Sequence, residues 1–328
     1  MAVSRPSEQT VEPSPAFANA FNAVVANVAR VIQGKTEAIQ LALLCLLAEG
    51  HLLIEDVPGV GKTSMAKALA ASIRCTFGRV QFTPDLLPSD VVGVSVFNRA
   101  SSTFEFRPGP IFANFLLADE INRASPKTQS ALLEGMAERQ VTVDGGTYPL
   151  ELPFMVIATQ NPIEHEGTYP LPESQLDRFF MRISIGYPAR DAELEMLDAH
   201  ADHDAFDEIG PVVGENDVKL MVAQTKAVHF APSLKGYLVE LAEGTRSHPR
   251  LALGMSPRAV LNLQRAAKAR AAAAGRSYVV PDDIKVLAEP VLAHRLVITP
   301  EAQLAGMRAG DVLGEVLRTV PVPTGRAK

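Results

Sequence analysis

The sequence contains no tryptophan, only two cysteines in 328 residues, and no surplus of positive charge. Cys45 and Cys75 have neither CxxC nor Cys/His spacing, which excludes the common zinc and dithiol motifs and fits buried thiols in a reducing compartment. The net charge of −6 leaves no basic excess for a polyanion, because nucleic-acid binding draws on clustered Lys and Arg to displace counterions. Nucleic acid is therefore not an expected partner. Long apolar runs are also missing. The stretch around Leu41 to Leu47 is too short to span a bilayer, and the first fifteen residues hold Ser, Pro, Glu and Gln without an apolar signal core. The expectation is a cytoplasmic protein with no integral membrane segment and no internal repeat.

What is present, 47% apolar and 21% charged residues, suits a globular chain with one large domain or two. Residues 1–15 are polar and proline-rich and read as a flexible tail. From Phe17 the apolar residues Phe21, Val24, Val25, Val28 and Ile32 recur at helical spacing, Gly34 breaks the helix, and a second apolar helix follows over 37–48. A strand at 51–55, a Gly/Pro loop, a helix at 62–73 and a strand at 79–82 come next. Short apolar runs at 115–118 and 154–158 complete the buried strands of a parallel sheet covered on both faces. Two segments alternate at period two around turns and predict hairpins, at about 91–106 and 139–150. The first pairs Val92, Val94 and Val96 with 103–106, and the second turns at Asp144, Gly145 and Gly146. After Pro188 the chain becomes helical and alanine-rich, so a boundary is expected there. The fold class is α/β over 16–187, an αβα sandwich with a parallel sheet, followed by a helical domain over 188–328. In that second part Ser256 is placed to cap a helix that starts at Pro257 and turns Val260, Leu263, Ala267 and Ala271 to one side.

The segment DVPGVGKT, residues 56–63, lies after a strand and opens a helix, as an ATP-binding loop should. Gly59, Val60 and Gly61 let the backbone curl so that N–H groups, with those of Lys62, Thr63 and Ser64 at the helix start, face the phosphates. Lys62 neutralises the γ-phosphate and the Thr63 hydroxyl ligates Mg²⁺. The motif asks for glycine at its first position, where Asp56 stands; its carboxylate is expected to point away from the triphosphate. The strand 115–118 ends in Asp119 and Glu120, at the edge where open α/β sheets bind ligands. Asp119 is assigned to Mg²⁺, and Glu120 to orienting and deprotonating the attacking water. Asn161 follows the next buried strand in ATQNP. It reads either as an Asn-Pro turn or as a neutral amide gripping the water or the γ-phosphate, and its position after a core strand favours the second. A cluster of Asp198, His200, Asp202, His203 and Asp204 has HxxH spacing but reads as a solvated face rather than a metal site.

These residues, in this order, resemble the AAA+ class of ring-forming ATPases, and the surrounding segments are similar to its MoxR family. The resemblance rests on VIQG (31–34), EDVPGVGKT (55–63), QFTPDLLPSDVVG (81–93), the long run 106–145, ATQNPIEHEGTYPLPESQLDRF (158–179) and SPRA (256–259). It implies an AAA+ core followed by a helical lid, and ATP and Mg²⁺ as ligands. It implies that Asp56 is a tolerated variant, that Arg178 in LDRF is an arginine finger reaching a neighbouring subunit's ATP, and that Arg258 in SPRA is a second sensor on the lid. Arg265 and Lys268, on the same side of that helix, are read as a solvated basic face. The resemblance further implies a homo-oligomeric ring, hexameric, acting in a chaperone-like way on a protein client, often one with a von Willebrand factor A-type domain and sometimes with metal insertion, and hairpins that line or rim a pore. A nucleic-acid-dependent motor and a small-molecule kinase are the alternatives; the acidic charge and the lack of Trp weigh against the first, and Arg178 and the lid against the second.

Overall fold

A computed structural model describes residues 15–162, 167–188 and 209–323, with residues 190, 193, 194 and 206 between the last two. The tail before residue 15 and the 198–204 cluster lie outside the described residues. Two helices, α1 (Pro15–Ala29) and α2 (Thr36–Leu47), precede strand β1 (Leu52–Glu55), the loop, helix α3 (Lys62–Ile73) and strand β2 (Phe77–Gln81). Helix α4 (Pro88–Val92) leads into the hairpin β3 (Gly93–Asn98) and β4 (Thr103–Pro108). Strand β5 (Phe115–Asp119), helix α5 (Pro126–Glu138), the hairpin β6 (Gln140–Val143) and β7 (Gly146–Pro149), strand β8 (Met155–Gln160), helix α6 (Glu173–Leu176) and strand β9 (Met181–Ile183) complete this part.

The five long-range strands form one sheet in the order β2-β5-β8-β1-β9, every pair parallel. Side-chain parity splits the core in two, because successive residues of a strand face opposite sides. Leu52, Ile54, Phe115, Leu117, Met155 and Ile157 pack under α1, α2 and α3, whereas Leu53, Leu116, Ala118, Val156 and Ala158 pack against α5. The central strands β1, β5 and β8 are thus apolar on both sides, and the runs at 115–118 and 154–158 read as continuous rather than alternating for that reason. The register sets Gln81 beside Asp119 and Glu55 beside Gln160, so the C-terminal ends of four strands meet along one edge.

Both hairpins form. Val141 pairs with Tyr148 around a turn in which Asp144 and Gly145 have φ of 49° and 81°, the left-handed pair that a two-residue turn requires. In the first hairpin Val94 and Val96 pair with Arg107 and Glu105, but Val92 belongs to α4 instead of the strand. Pro88 starts that helix and the Asp90 carboxylate accepts from the Leu87 N–H at 2.9 Å, which outweighs the β preference of the valines.

The C-terminal part is mainly helical: α7 (Glu215–Ala227), α8 (Pro232–Arg246), α9 (Pro257–Ala273), α10 (Pro281–Leu292), α11 (Pro300–Leu304) and α12 (Ala309–Thr319), with a small antiparallel pair β10 (Leu251–Leu253) and β11 (Val297–Ile298). Ser256 does cap α9, its hydroxyl accepting from the Ala259 N–H at 3.1 Å. Leu263, Ala267 and Ala271 are buried, and their cluster is continuous with the one beneath α2. Among the described residues no helix is long and apolar enough to cross a membrane.

Candidate functional site: a phosphate loop facing two strand-end carboxylates

The loop between β1 and α3 curls as its glycines allow. Gly59 and Gly61 have φ of 83° and 92°, a region closed to most side chains. Gly61 precedes α3 with no side-chain cap, so the first-turn amides open toward the cleft as an anion site would have them. The Lys62 amino group folds back onto the Asp56 carbonyl at 2.6 Å. The Asp56 side chain turns the other way. Its Oδ2 accepts from the Ser184 hydroxyl at 2.9 Å and from the Ile185 and Gly186 amides at 2.7 and 2.6 Å, and its Oδ1 accepts from the Val57 amide at 2.8 Å. Burial works against that charge, but these four donors outweigh it and hold the carboxyl below its ordinary range. Asp56 therefore fastens the mouth of the loop to the chain after β9 and adds no negative charge to the cleft.

Opposite the loop, Asp119 is buried at the end of β5. Its Oδ1 accepts from the Thr159 hydroxyl at 3.0 Å, and its Oδ2 lies 3.4 Å from the Thr63 hydroxyl. Arg79 on β2 holds the same Oδ2 from Nε at 2.9 Å and Nη2 at 2.8 Å. Glu120 has φ of 54°, a left-handed conformation that costs a non-glycine residue roughly 1–2 kcal/mol. The Glu120 amide donates to the Thr159 hydroxyl at 2.9 Å, and the Glu120 carboxylate accepts from Gln81 at 2.7 Å and Arg123 at 2.9 Å. These bonds from Thr159, Gln81 and Arg123 hold Glu120 in that conformation at the strand end.

Gly59, Gly61, Lys62, Thr63, Ser64, Asp119, Glu120 and Asn161 line one cleft of about 350 Å³, together with Arg79, Gln81 and Thr159. Val60 belongs to the loop, but its side chain packs against the apolar core. Two residues implied by resemblance lie elsewhere. Arg178, just after α6, donates to the Leu133 carbonyl at 2.7 Å and lines a separate hollow with Glu134 and Glu138. Arg258, at the start of α9, lies 3.8 Å from Asp177 with its side chain about half exposed, so the structure does not bring it to this chain's cleft. The reading of Arg265 and Lys268 as a solvated face is corrected. Arg265 donates to the Ala48 and Glu49 carbonyls and lies 5.4 Å over the Phe180 ring, and Lys268 donates to the Lys226 carbonyl at 2.8 Å. The first follows from α2 ending against α9, which leaves its last carbonyls facing a guanidinium, and the second from the last turn of α7 doing the same for the Lys268 ammonium.

Arg79, Gln81, Thr159 and Arg123 were not legible as site residues. Gln81 and Arg79 share a parity on a strand whose alignment with β5 no local pattern reveals; only Arg123, three residues beyond Glu120, carried a local signal.

The profile of the ATPase family associated with various cellular activities (AAA) matches residues 51–181, and that of the AAA lid domain matches residues 243–316. Across nearly the whole chain the sequence is 50% identical to the uncharacterised protein YeaC of Bacillus subtilis, covering 92% of this chain and 95% of that protein. It is 42% identical to the chaperone MoxR1 of Mycobacterium tuberculosis, covering 90% and 80%. A crystal structure of a Cytophaga hutchinsonii protein provisionally described as an ATPase superposes with a TM-score of 0.89 at 39% identity, over 97% of this chain and 98% of that one. A parallel sheet with a phosphate loop and a following helical lid thus defines the class, a nucleotide-binding AAA ATPase. Within that class, the chain belongs to the MoxR family.

Proposed function

We propose that this chain hydrolyses ATP to ADP and phosphate with Mg²⁺, as a subunit of a homo-oligomeric, hexameric ring that remodels or activates a protein client. The donor set of the cleft suits the ligands. Thr63 and Asp119 offer hard oxygens 3.4 Å apart, which is the ligand type Mg²⁺ takes beside phosphate oxygens and water. Bound there, the metal would neutralise charge on the phosphates. Lys62 and the uncapped start of α3 would hold the triphosphate. Glu120 would accept the proton of the attacking water while Asn161 orients it without adding charge.

One observation supports the ring: the cleft gathers every assigned polar side chain except the two arginines. Arg178 lies in its own hollow, and Arg258 stands beside it through Asp177. A guanidinium stabilises charge on a transferring phosphoryl group by bidentate contact, worth on the order of 10³ to 10⁵ in rate where it acts as a finger. Supplied from the neighbouring subunit, the pair would complete each cleft at a subunit boundary. The chaperone name of the MoxR1 relative supports a protein client, and a partner with a von Willebrand factor A-type domain is the client class proposed here. The exposed, mutually packed Phe97 and Phe104 of the first hairpin are suited to touch it.

The test is a pair of variants. Glu120→Gln should bind ATP and lose turnover. Arg178→Ala should lose turnover alone and regain it when mixed with Glu120→Gln subunits, which retain the finger. Normal hydrolysis by Arg178→Ala subunits in isolation defeats the ring mechanism.

A further inference from the structure

We propose that Arg295, in the lid, is a positioning residue for Arg178: it clamps the backbone on both sides of the finger, so that the reach of Arg178 depends on where the lid sits. The inference rests on the ring reading above and extends it to a residue that touches no nucleotide. Arg295 ends the short helical turn after α10, and its side chain is 2% exposed. Its Nη2 donates to the Phe179 carbonyl at 2.5 Å and lies 3.4 Å from the Asp177 carbonyl, while its Nε lies 3.3 Å from Asp177 Oδ1. With its amide oxygen turned inward, Asn262 on α9 accepts from Nη1 at 3.0 Å and Nη2 at 2.7 Å. One lid guanidinium therefore holds the residues immediately before and after Arg178 and is itself aimed by a second lid helix.

An ion pair with a buried guanidinium is a poor device for stability, since desolvating the charge cancels most of the attraction and apolar side chains of similar volume often do as well. Its use lies in fixing one geometry. Burial draws the Arg295 pKa down to about 10, well above neutrality, so the clamp remains a cation facing the Asp177 carboxylate. Arg258 approaches the other oxygen of the same carboxylate at 3.8 Å, which places lid contacts on both oxygens of the residue preceding the finger. Arg178 itself is anchored to the core at the Leu133 carbonyl. The segment 177–179 thus hangs between the lid and α5, and a shift of either would move the guanidinium by the ångström that misaligned catalytic groups pay for heavily.

Arg295→Lys preserves the charge and loses the planar fork. The expected result is a fall in turnover on the order of tenfold to a hundredfold, with affinity for a non-hydrolysable ATP analogue unchanged and restoration of hydrolysis on mixing with Glu120→Gln subunits. The restoration is the decisive readout: the cleft of an Arg295→Lys subunit is intact and lacks only a well-placed finger, which Glu120→Gln supplies. A purely structural role would weaken nucleotide binding and would not be rescued. Arg178→Ala mixed with Glu120→Gln runs beside it. Rescue there without rescue of Arg295→Lys overturns the proposal; failure of both removes the ring reading itself. Should Arg295→Lys not fold, Asp177→Asn, which keeps the side-chain volume, carries the same expectation, and full turnover by that variant alone overturns it.

Discussion

Replacing Asp56 with glycine would restore the residue that phosphate loops ordinarily carry at that position, yet the expected outcome is a weaker protein and a weaker site. The carboxylate accepts four hydrogen bonds, from Val57, Ser184, Ile185 and Gly186, at 2.6 to 2.9 Å. Removing a buried acceptor leaves its donors unpaired at about 1–3 kcal/mol each, less where water reaches them. With two of the backbone donors effectively stranded, the loss is about 2 to 6 kcal/mol, and glycine adds about 0.5–1 kcal/mol through the entropy of the unfolded chain. Asp56→Asn keeps one acceptor oxygen and should lose about half as much. Urea unfolding at neutral pH measures the difference, and titration with a fluorescent ATP analogue should show weakened binding as the loop mouth loosens from the end of β9. Since folding holds this carboxyl below its ordinary value of 3.8, its contribution is fully present above that pH and fades as the pH falls through the lower folded value. Wild type and Asp56→Gly should therefore converge in strong acid. Unchanged stability together with tighter ATP binding in the glycine variant would refute the outward orientation of Asp56.

Two further outcomes are expected. His51 is buried with its Nδ1 accepting from the Val156 amide at 3.0 Å and its Nε2 facing the Met136 carbonyl at 3.1 Å, and burial lowers its pKa from 6.5 to about 4. The unfolded chain binds the extra proton across that window, so stability is full above pH 6.5 and drops by about 3 kcal/mol as the pH falls to 4; urea midpoints at pH 7, 6 and 5 should decline more gently in His51→Gln, and parallel curves would contradict it. Arg79, itself half exposed, occupies the Asp119 oxygen proposed for Mg²⁺ in a pair worth about 0.2–1 kcal/mol, so Arg79→Ala should reach half-maximal ATP binding at up to about fivefold less Mg²⁺; a higher requirement would show that Arg79 assists the metal instead of competing with it.

The phosphate loop and the acid pair are legible in the sequence because each is a local pattern. Gly59 and Gly61 between a strand and a helix, and Asp119 and Glu120 closing a buried strand, follow from spacing, β-turn chemistry and side-chain parity within a few residues. The hairpins came from the same local rules, except at Val92, where Pro88, four residues earlier, drew the residue into a helix. What the tertiary structure alone decided is everything that depends on two distant segments meeting. The alignment of β2 with β5 put Arg79 and Gln81 on the two carboxylates, the chain after β9 supplied the donors that hold the outward Asp56, and the packing of α9 on α2 took Arg265 out of solvent. The lid's placement over 177–179 drew Arg258 and Arg295 to Asp177 rather than to the nucleotide cleft. Charged side chains on a helix face look alike in sequence, since periodicity records which face is apolar and is silent on which carbonyl or carboxylate another element will bring to the polar one.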